Sequence, residues 1–540
     1  MARVYCRGLM SGNTEAAEVI TGTGGPRFGS KLKEQELALW ACLFILALGL
    51  RLLFLDARPP HHDEAIHGHF ARELLHRHSL RYDPTYHGPL QYFVLAGLFA
   101  LFGENDFVLR LYAVFSGAAL TAVPALLRRV VGVGPALAMG LLVAISPNFL
   151  YFSRFARNDV PVVLFTALAL VFLWRRRSKQ VSGFLEAGVF LGLHAVSKET
   201  IYVYIVLWLV AGLGTAIWVG VKRSWRWLRN FCLREKKKLL VAGAILLAIC
   251  LLFYTAFFSW PADAFFFVKA VEYWYGQHLM QRVAGPWFFH FPRLLLYDFL
   301  ILGLAASGFW RRRRRLGVVE RFLLLWGLAS LAMYAYLGEK VPWLSVHQLL
   351  PWIPLAGVEL ALLLRSKSRC LSKVLVFCAL AGTAWSALAS SFLYPTIELT
   401  DPHGELLVFV QTTKEQKRLA EEGVTLAARQ PGRVVAAVEG EAVWPLSWQW
   451  RDLPVIWTLP QVGAEPPLVV TDPGKWFPDA LQGAAFRCET LPLRAWWVER
   501  WTGVWPKEVL RWFFTRKVWS PVGATEVQVC RQTGEKGGKL

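Results

Sequence analysis

The sequence predicts an all-α, multi-spanning membrane protein with a small α/β domain at its C-terminal end. Three observations lead there. Of the 540 residues, 55% are hydrophobic and only 18% charged, against about 25% charged in soluble domains. Apolar runs recur at lengths approaching the roughly 20 residues that cross a bilayer core, and Lys and Arg gather in short tracts between them. From about Tyr394 onward the long apolar runs stop.

Residues 1–36 read as a disordered cytoplasmic lead rich in Gly and Thr, with no cleavable signal ahead of the first apolar run at Leu37. The basic tracts fall at 128–129, 175–179, 222–238, 311–315 and 365–369. Placing all of them in the cytoplasm threads spans at 37–55, 107–127, 133–150, 160–174, 185–196, 201–220, 239–258, 294–310, 321–337, 346–364 and 371–392. The expectation is therefore about eleven transmembrane helices, thirteen at most, with the N-terminus cytoplasmic and the C-terminal domain extracytoplasmic. Residues 89–102 are apolar but, at about 14, too few to span. They read as a juxtamembrane or re-entrant segment in a first outer loop of residues 56–106.

The formal charge of +21 is thus absorbed by topology. No basic and aromatic module accompanies it, which argues against nucleic acid. The eight cysteines include no CxxC pair, so no thiolate metal site or redox motif is expected. Cys488 and Cys530 share the tail and could pair as a disulfide. Residues 393–540 have domain size, with an amphipathic helix at 405–422 and strands at 433–438, 453–457 and 467–471. Eleven of the 25 Trp fall there, among them Trp444, Trp448, Trp450, Trp496 and Trp497. Such rings suit a membrane interface, a sugar-binding surface or ordinary packing.

The segment HHDEAIHGHFARELLHRHSL opens the first outer loop with Asp63 and Glu64. An acidic pair there serves as a base or a divalent-cation site, or is a solvated pair at a helix start. Ile66, Phe70 and Leu74 recur at helical spacing, which predicts an amphipathic helix along the membrane surface. Seven of 12 histidines lie between His61 and His87, without HExxH spacing, and read as interfacial rather than zinc-binding.

Three further polar clusters reach the same face: Arg154, Arg157 and Asp159 in YFSRFARNDV, Ser197-Lys198-Glu199, and Glu339 with Lys340 in GEKVPW. Snorkelling cations would not favour the outer face, so their convergence points to function. Carboxylates can activate or position an acceptor there, and cations can hold a lipid phosphate.

The ordered segments HHDE, YHGPLQYF, LFGENDFVLRLYAVFSG, SRFARND, GLHAVSKET, GEKVPWL, VHQLLPWIPLAG and WPLSWQWRD resemble the GT-C superfamily. Within it they are similar to the protein O-mannosyltransferase and aminoarabinose transferase types, and above all to the flippase activity-associated membrane proteins. The resemblance covers about 37–365. It implies sugar transfer from a polyprenyl-phosphate donor to a glycan, lipid or protein acceptor on the extracytoplasmic face, usually with inversion.

On that resemblance Asp63 is the general base, with Glu64 and Asp159 as further acids. His87, Arg154, Arg157, Lys198, Glu339, Lys340 and His347 are candidate substrate or lipid-phosphate contacts. A divalent ion shared by Asp63, Glu64 and Asp159 stays open. Relatives of the aminoarabinose type carry Lys-Pro where this chain has His87-Gly88-Pro89, so that contact falls to a histidine or is lost. The competing expectation is a transporter or flippase-associated protein that handles lipid-linked glycans without breaking a bond. Such proteins show paired half-repeats with broken helices, a symmetry not seen here.

Overall fold

The computed structural model describes residues 30–175, 182–281, 283–366, 370–460, 466–475 and 486–533. The lead up to residue 29 and parts of the 175–179 and 365–369 tracts lie outside that set. Two compact units form. The first comprises the residues up to Leu53, Arg81–Gln91 and Arg110–Leu388; the second comprises Phe54–Leu80, Tyr92–Leu109 and the residues from Ala389 onward.

In chain order the helices begin with α1 Ser30–Leu52, α2 His62–Arg77 and α3 Leu90–Phe102. Then come α4 Asp106–Ala122, α5 Val133–Ile145, α6 Pro147–Phe152, α7 Asp159–Arg175, α8 Ser182–Ala195, α9 Thr200–Val219 and α10 Val221–Tyr254. The series continues with α11 Phe266–Met280, α12 His290–Tyr297, α13 Phe299–Arg312, α14 Val318–Tyr336, α15 Ser345–Leu349, α16 Trp352–Arg365 and α17 Cys370–Leu388.

Among the described residues, six helices are long and apolar enough to cross a membrane, and two bent pairs raise this to eight. One pair is α12 with α13, bent by 86°, and the other joins Pro342–Leu349 to α16 at 58°. The three remaining expected spans coincide with α5, α7 and α8, of 13, 17 and 14 residues. At 1.5 Å per residue they reach only about 20–26 Å, short of the ~30 Å hydrocarbon core.

Two expectations change. Helix α1 starts at Ser30, so Ser30–Glu36 is helix rather than disordered lead. The basic tract at 222–238 is not a loop but the first half of the 34-residue α10. Its Arg, Lys, Leu and Glu are strong helix formers, and no Gly or Pro interrupts them before Gly243.

The second unit is built on a six-stranded mixed sheet: β1 Gln411–Thr412, β2 Ala436–Val438, β3 Val455–Ile456, β4 Leu468–Thr471, β5 Phe486–Trp497 and β6 Val522–Gln532, in spatial order β1-β5-β6-β4-β2-β3. β2 runs parallel to β3 and β4, while the β4–β6, β5–β6 and β1–β5 pairs are antiparallel. Helices α18 Lys414–Arg429, α19 Val443–Gln449 and α20 Pro506–Thr515 complete it. Leu419, Val438, Leu446, Trp450, Leu468, Leu493 and Val529 form its core. The long β5 and β6 were not anticipated; Cys488 and Cys530 face each other across them and are disulfide-bonded.

The tail's amphipathic helix begins at Lys414 rather than at 405. Thr413 caps it by accepting from Gln416 N–H, whereas Glu405 is buried in a 2.9 Å ion pair with Arg516. Trp448, Trp450, Trp497 and Trp512 are buried, so packing, not a membrane or sugar surface, accounts for those rings. First-loop residues belong to the same unit by direct bonds. Gln411 donates to Pro59 O at 2.9 Å, Thr412 to Pro60 O at 2.6 Å, and Trp448 Nε1 to Asp106 Oδ1 at 2.8 Å.

Candidate active site

In the first unit, three short breaks between helices bring Arg157, Asp159, Lys198 and His347 together. Asp159 is the first residue of α7, where the helix dipole favours a carboxylate, and Pro161 is tolerated in that first turn. Lys198 and Glu199 occupy the link between α8 and α9, turned by Ser197 and Lys198 N–H groups that donate to His194 O at 3.0 and 3.1 Å. His347 comes from α15, one short turn after the GEKVPW segment.

Asp159 is the hub. Lys198 Nζ donates to its Oδ1 at 2.6 Å, His347 Nε2 lies 3.0 Å from the same oxygen, and Arg157 Nε donates to Oδ2 at 3.4 Å. Tyr204 Oη, 2.9 Å from His347 Nδ1, sets the tautomer in which Nε2 carries the proton. The Arg157 guanidinium lies 4.0 Å from the centre of the Trp343 ring.

A second half joins through His87. Its Nδ1 lies 3.0 Å from Glu199 Oε2, its Nε2 lies 3.4 Å from Arg157 Nη2, and its ring stacks on Trp274 at 5.0 Å. Since Arg157 can only donate, His87 Nε2 accepts and the ring is neutral. In agreement, burial first and the charge of Lys198 second push its pKa below the ordinary histidine value, against the pull of Glu199. Tyr82 donates to the other Glu199 oxygen at 3.0 Å, and burial followed by Glu199 pushes that phenol up.

The backbone here is specialised. His87 has φ +69°, uncommon for a side-chain-bearing residue and characteristic of functional sites. A Cβ on Gly88 would sit 2.3 Å from Val196 O, so the HGP segment can lie against the Lys198–Glu199 link only with glycine there.

Two expected contacts have other work. Arg154 Nη1 donates to the carbonyls of Leu50, Arg51 and Leu53 at 3.1, 3.0 and 2.6 Å, closing the end of α1. Lys340 Nζ does the same for α14, donating to Tyr334, Ala335 and Leu337 carbonyls at 2.9, 2.7 and 2.6 Å. Both satisfy carbonyls that a helix end leaves orphaned. Burial lowers the Lys340 pKa, and Glu339 is half-buried in the same turn.

Sequence reasoning missed several members. Glu199 and Trp343 stood inside noted segments but were not singled out, and Tyr82, Tyr204 and Trp274 carry no motif signal. Near His347, Tyr334 Oη, both ring nitrogens of His290 and the Gln348 amide are buried without a hydrogen-bond partner, which is unusual in packed interiors.

Asp63 and Glu64 lie in the second unit, in the first turn of α2. His61 caps that helix: its Nδ1 accepts from Asp63 N–H at 3.0 Å, and its own N–H donates to Glu64 Oε2 at 2.9 Å. Arg58 is 3.6 Å from Glu64 Oε1. Asp63 Oδ1 lies 3.3 Å from His62 Nε2, and the Asp63 side chain keeps 20% of its surface exposed.

The metal reading fits poorly. Both Asp159 oxygens are held by cations or imidazole, and Glu64 is spent on the cap and Arg58. Among the described residues only His61, His62 and Asp63 group closely enough to share an ion. Yet His61 Nδ1 accepts from Asp63 N–H, and Nε2 faces Phe409 O at 2.9 Å, so ligation through Nδ1 would break the cap and ligation through Nε2 would displace Phe409 O.

The chain is a multi-pass membrane protein whose fold is that of the GT-C membrane glycosyltransferases. Residues 86–254, about a third of the chain, match the sequence profile of the dolichyl-phosphate-mannose-protein mannosyltransferase family. ArnT from Cupriavidus metallidurans bound to undecaprenyl phosphate superposes with TM-score 0.58 at 15% identity, covering 95% of this chain and 100% of that one. Its apo state gives 0.57 at 16%, over 81% and 93%. The Archaeoglobus fulgidus oligosaccharyltransferase in complex with Zn and sulfate gives 0.50 at 14%, over 80% and 68%. No curated protein sequence gives a significant match.

Proposed function

We propose that the chain transfers a sugar from a polyprenyl-phosphate-linked donor to a glycan, lipid or protein acceptor on the extracytoplasmic face of the plasma or inner membrane. One observation carries this reading. The stretch that matches the mannosyltransferase profile contains His87, Arg157, Asp159, Lys198 and Glu199, and these side chains form one buried network. The undecaprenyl phosphate held by the similarly folded ArnT supports a lipid-linked donor.

In this reading the acceptor hydroxyl loses its proton to Asp63 as its oxygen attacks the anomeric carbon. The bond from that carbon to the phosphate oxygen breaks, and its electron pair leaves with polyprenyl phosphate, inverting the centre. Phosphate is a good leaving group and needs charge stabilisation rather than protonation. Lys198 and Arg157 are the preferred cations, because Arg154 and Lys340 are held by backbone carbonyls. Asp159 keeps the two aligned, and Glu199 fixes His87.

The test compares the purified chain with Asp63→Asn on a panel of polyprenyl-phosphate sugars and acceptors, following released polyprenyl phosphate and glycosylated product. Release by the parent and its loss in the variant are expected. No release from any donor, or a variant equal to the parent, overturns the assignment. A reporter fused after Leu540 checks the topology, and a cytoplasmic signal would contradict the proposed face.

A further inference from the structure

The polar face of α2 lines a cleft in the second unit. His69, Arg72, Glu73, His76 and Arg77 follow one another at i, i+3, i+4, i+7 and i+8, so a single helical face supplies one wall. Ser447, Trp450, Arg451 and Trp457 supply much of the rest, and the cleft holds about 440 Å³, within the roughly 300–1,000 Å³ of ligand sites.

Its chemistry is selective. The lining carries three arginines, two histidines and one carboxylate, Glu73; Glu104 and Asp452 are counter-charges to Arg72, Arg451 and His76, which leaves Arg77 as the most exposed cation. Arg72 is anchored by Glu104 at 3.3 Å and Asp452 at 2.7 Å, leaving Nη1 buried without a hydrogen-bond partner, as is Ser447 Oγ. Arg451 is set over the Trp448 ring at 4.3 Å and donates to Trp448 O at 2.8 Å. Arg77, 74% exposed, reaches Glu73 at 3.0 Å, and Trp457 is 39% exposed. Guanidinium groups only donate, so the complementary ligand is rich in acceptors and anionic. A bare anion would leave the exposed Trp457 unused. A sugar ring presents a CH face to an aromatic plane and oxygens at its edge.

We propose that this cleft binds a carboxylate-bearing saccharide, with Trp457 under the ring and Arg77 at the carboxylate. If the sugar-transfer reading holds, the ligand is the acceptor or product glycan; binding itself does not require turnover.

The test is calorimetric titration of the full chain in nanodiscs, with no donor present, using hexagalacturonate and, as the neutral control, maltohexaose. Trp457→Ala and Arg77→Gln change exposed side chains, and thermal unfolding verifies that both variants are folded. Saturable binding of hexagalacturonate is expected, weakened about tenfold by either substitution and by added salt, with maltohexaose binding weakly or not at all. Absence of binding, equal affinity for the two sugars, or a folded Trp457→Ala that binds like the parent overturns the proposal. Asp63→Asn should bind hexagalacturonate like the parent, so loss of transfer and loss of this cleft's ligand are read separately.

Discussion

Lys198 Nζ stands 2.6 Å from Asp159 Oδ1 with both side chains buried, 4% and 1% exposed. Removing one partner of such a pair leaves an uncompensated charge and costs about 3–5 kcal/mol, whereas removing both costs far less. Asp159→Asn should therefore lower the unfolding temperature sharply, because Lys198 and Arg157 both lose their counter-charge. Adding Lys198→Met should recover part of that loss while transfer stays abolished. Thermal unfolding of single and double variants in one detergent decides it; additive losses would mean that the pair is not coupled.

Arg154 and Lys340 look alike in sequence to Lys198, yet each hydrogen-bonds three backbone carbonyls. Replacing either by Met should cost about 1.5–3 kcal/mol, as for charge-assisted bonds, and lower stability without a selective rise in the donor KM. Arg157→Met should instead weaken donor use at a given stability. A Lys340→Met variant with parental stability and a raised donor KM would return Lys340 to the phosphate.

This contrast marks what the sequence could disclose. Apolar runs and basic tracts located the helices, because bilayer length and charge sidedness are one-dimensional properties. They could not separate a cation aimed at a carboxylate from one folded back on its own helix end. Glu199 was invisible as the partner of His87 and Tyr82 because each pairing spans more than a hundred residues of chain. The sequence places residues 56–106 in an outer loop of the membrane domain, yet Phe54–Leu80 and Tyr92–Leu109 count with the tail unit. Their partners Phe409, Gln411 and Trp448 lie hundreds of positions away.

Gly88→Ala tests how tightly the HGP segment is fitted. The added methyl would meet Val196 O at 2.3 Å, a backbone atom that cannot turn away. Overpacking of this kind costs about 1–3 kcal/mol. The variant should be less stable and should lose most transfer activity as His87 is displaced. Retention of full activity would show that the contact relaxes freely.

His87 gives a pH signature. Its folded-state pKa lies below the ordinary value, about 6.5 in an unfolded chain, so the unfolded chain binds the proton first as pH falls. The stability attached to the neutral ring is complete above about pH 6.5 and is lost as pH drops toward the lowered folded value. Protonation would also remove the acceptor that faces Arg157 Nη2. His87→Gln should flatten the fall in unfolding temperature between neutral and mildly acidic pH relative to the parent. An unchanged slope would mean that folding does not lower the His87 pKa.

Chelation tests the carboxylates directly. Asp159 is neutralised by Lys198 and Arg157, and Glu64 is committed to the α2 cap and Arg58. A divalent ion shared by His61, His62 and Asp63 through His61 Nδ1 would displace the bond that this nitrogen accepts from Asp63 N–H. That exchange gives up a helix cap worth about 0.5–2 kcal/mol and must deprive Asp63 of the lone pairs a base requires. Transfer activity should therefore survive EDTA treatment unchanged, and added Zn²⁺ should inhibit rather than stimulate it. Loss of activity in chelator with recovery on Mg²⁺ or Zn²⁺ addition would make the His61–His62–Asp63 group a metal site and would move the role of base to another residue.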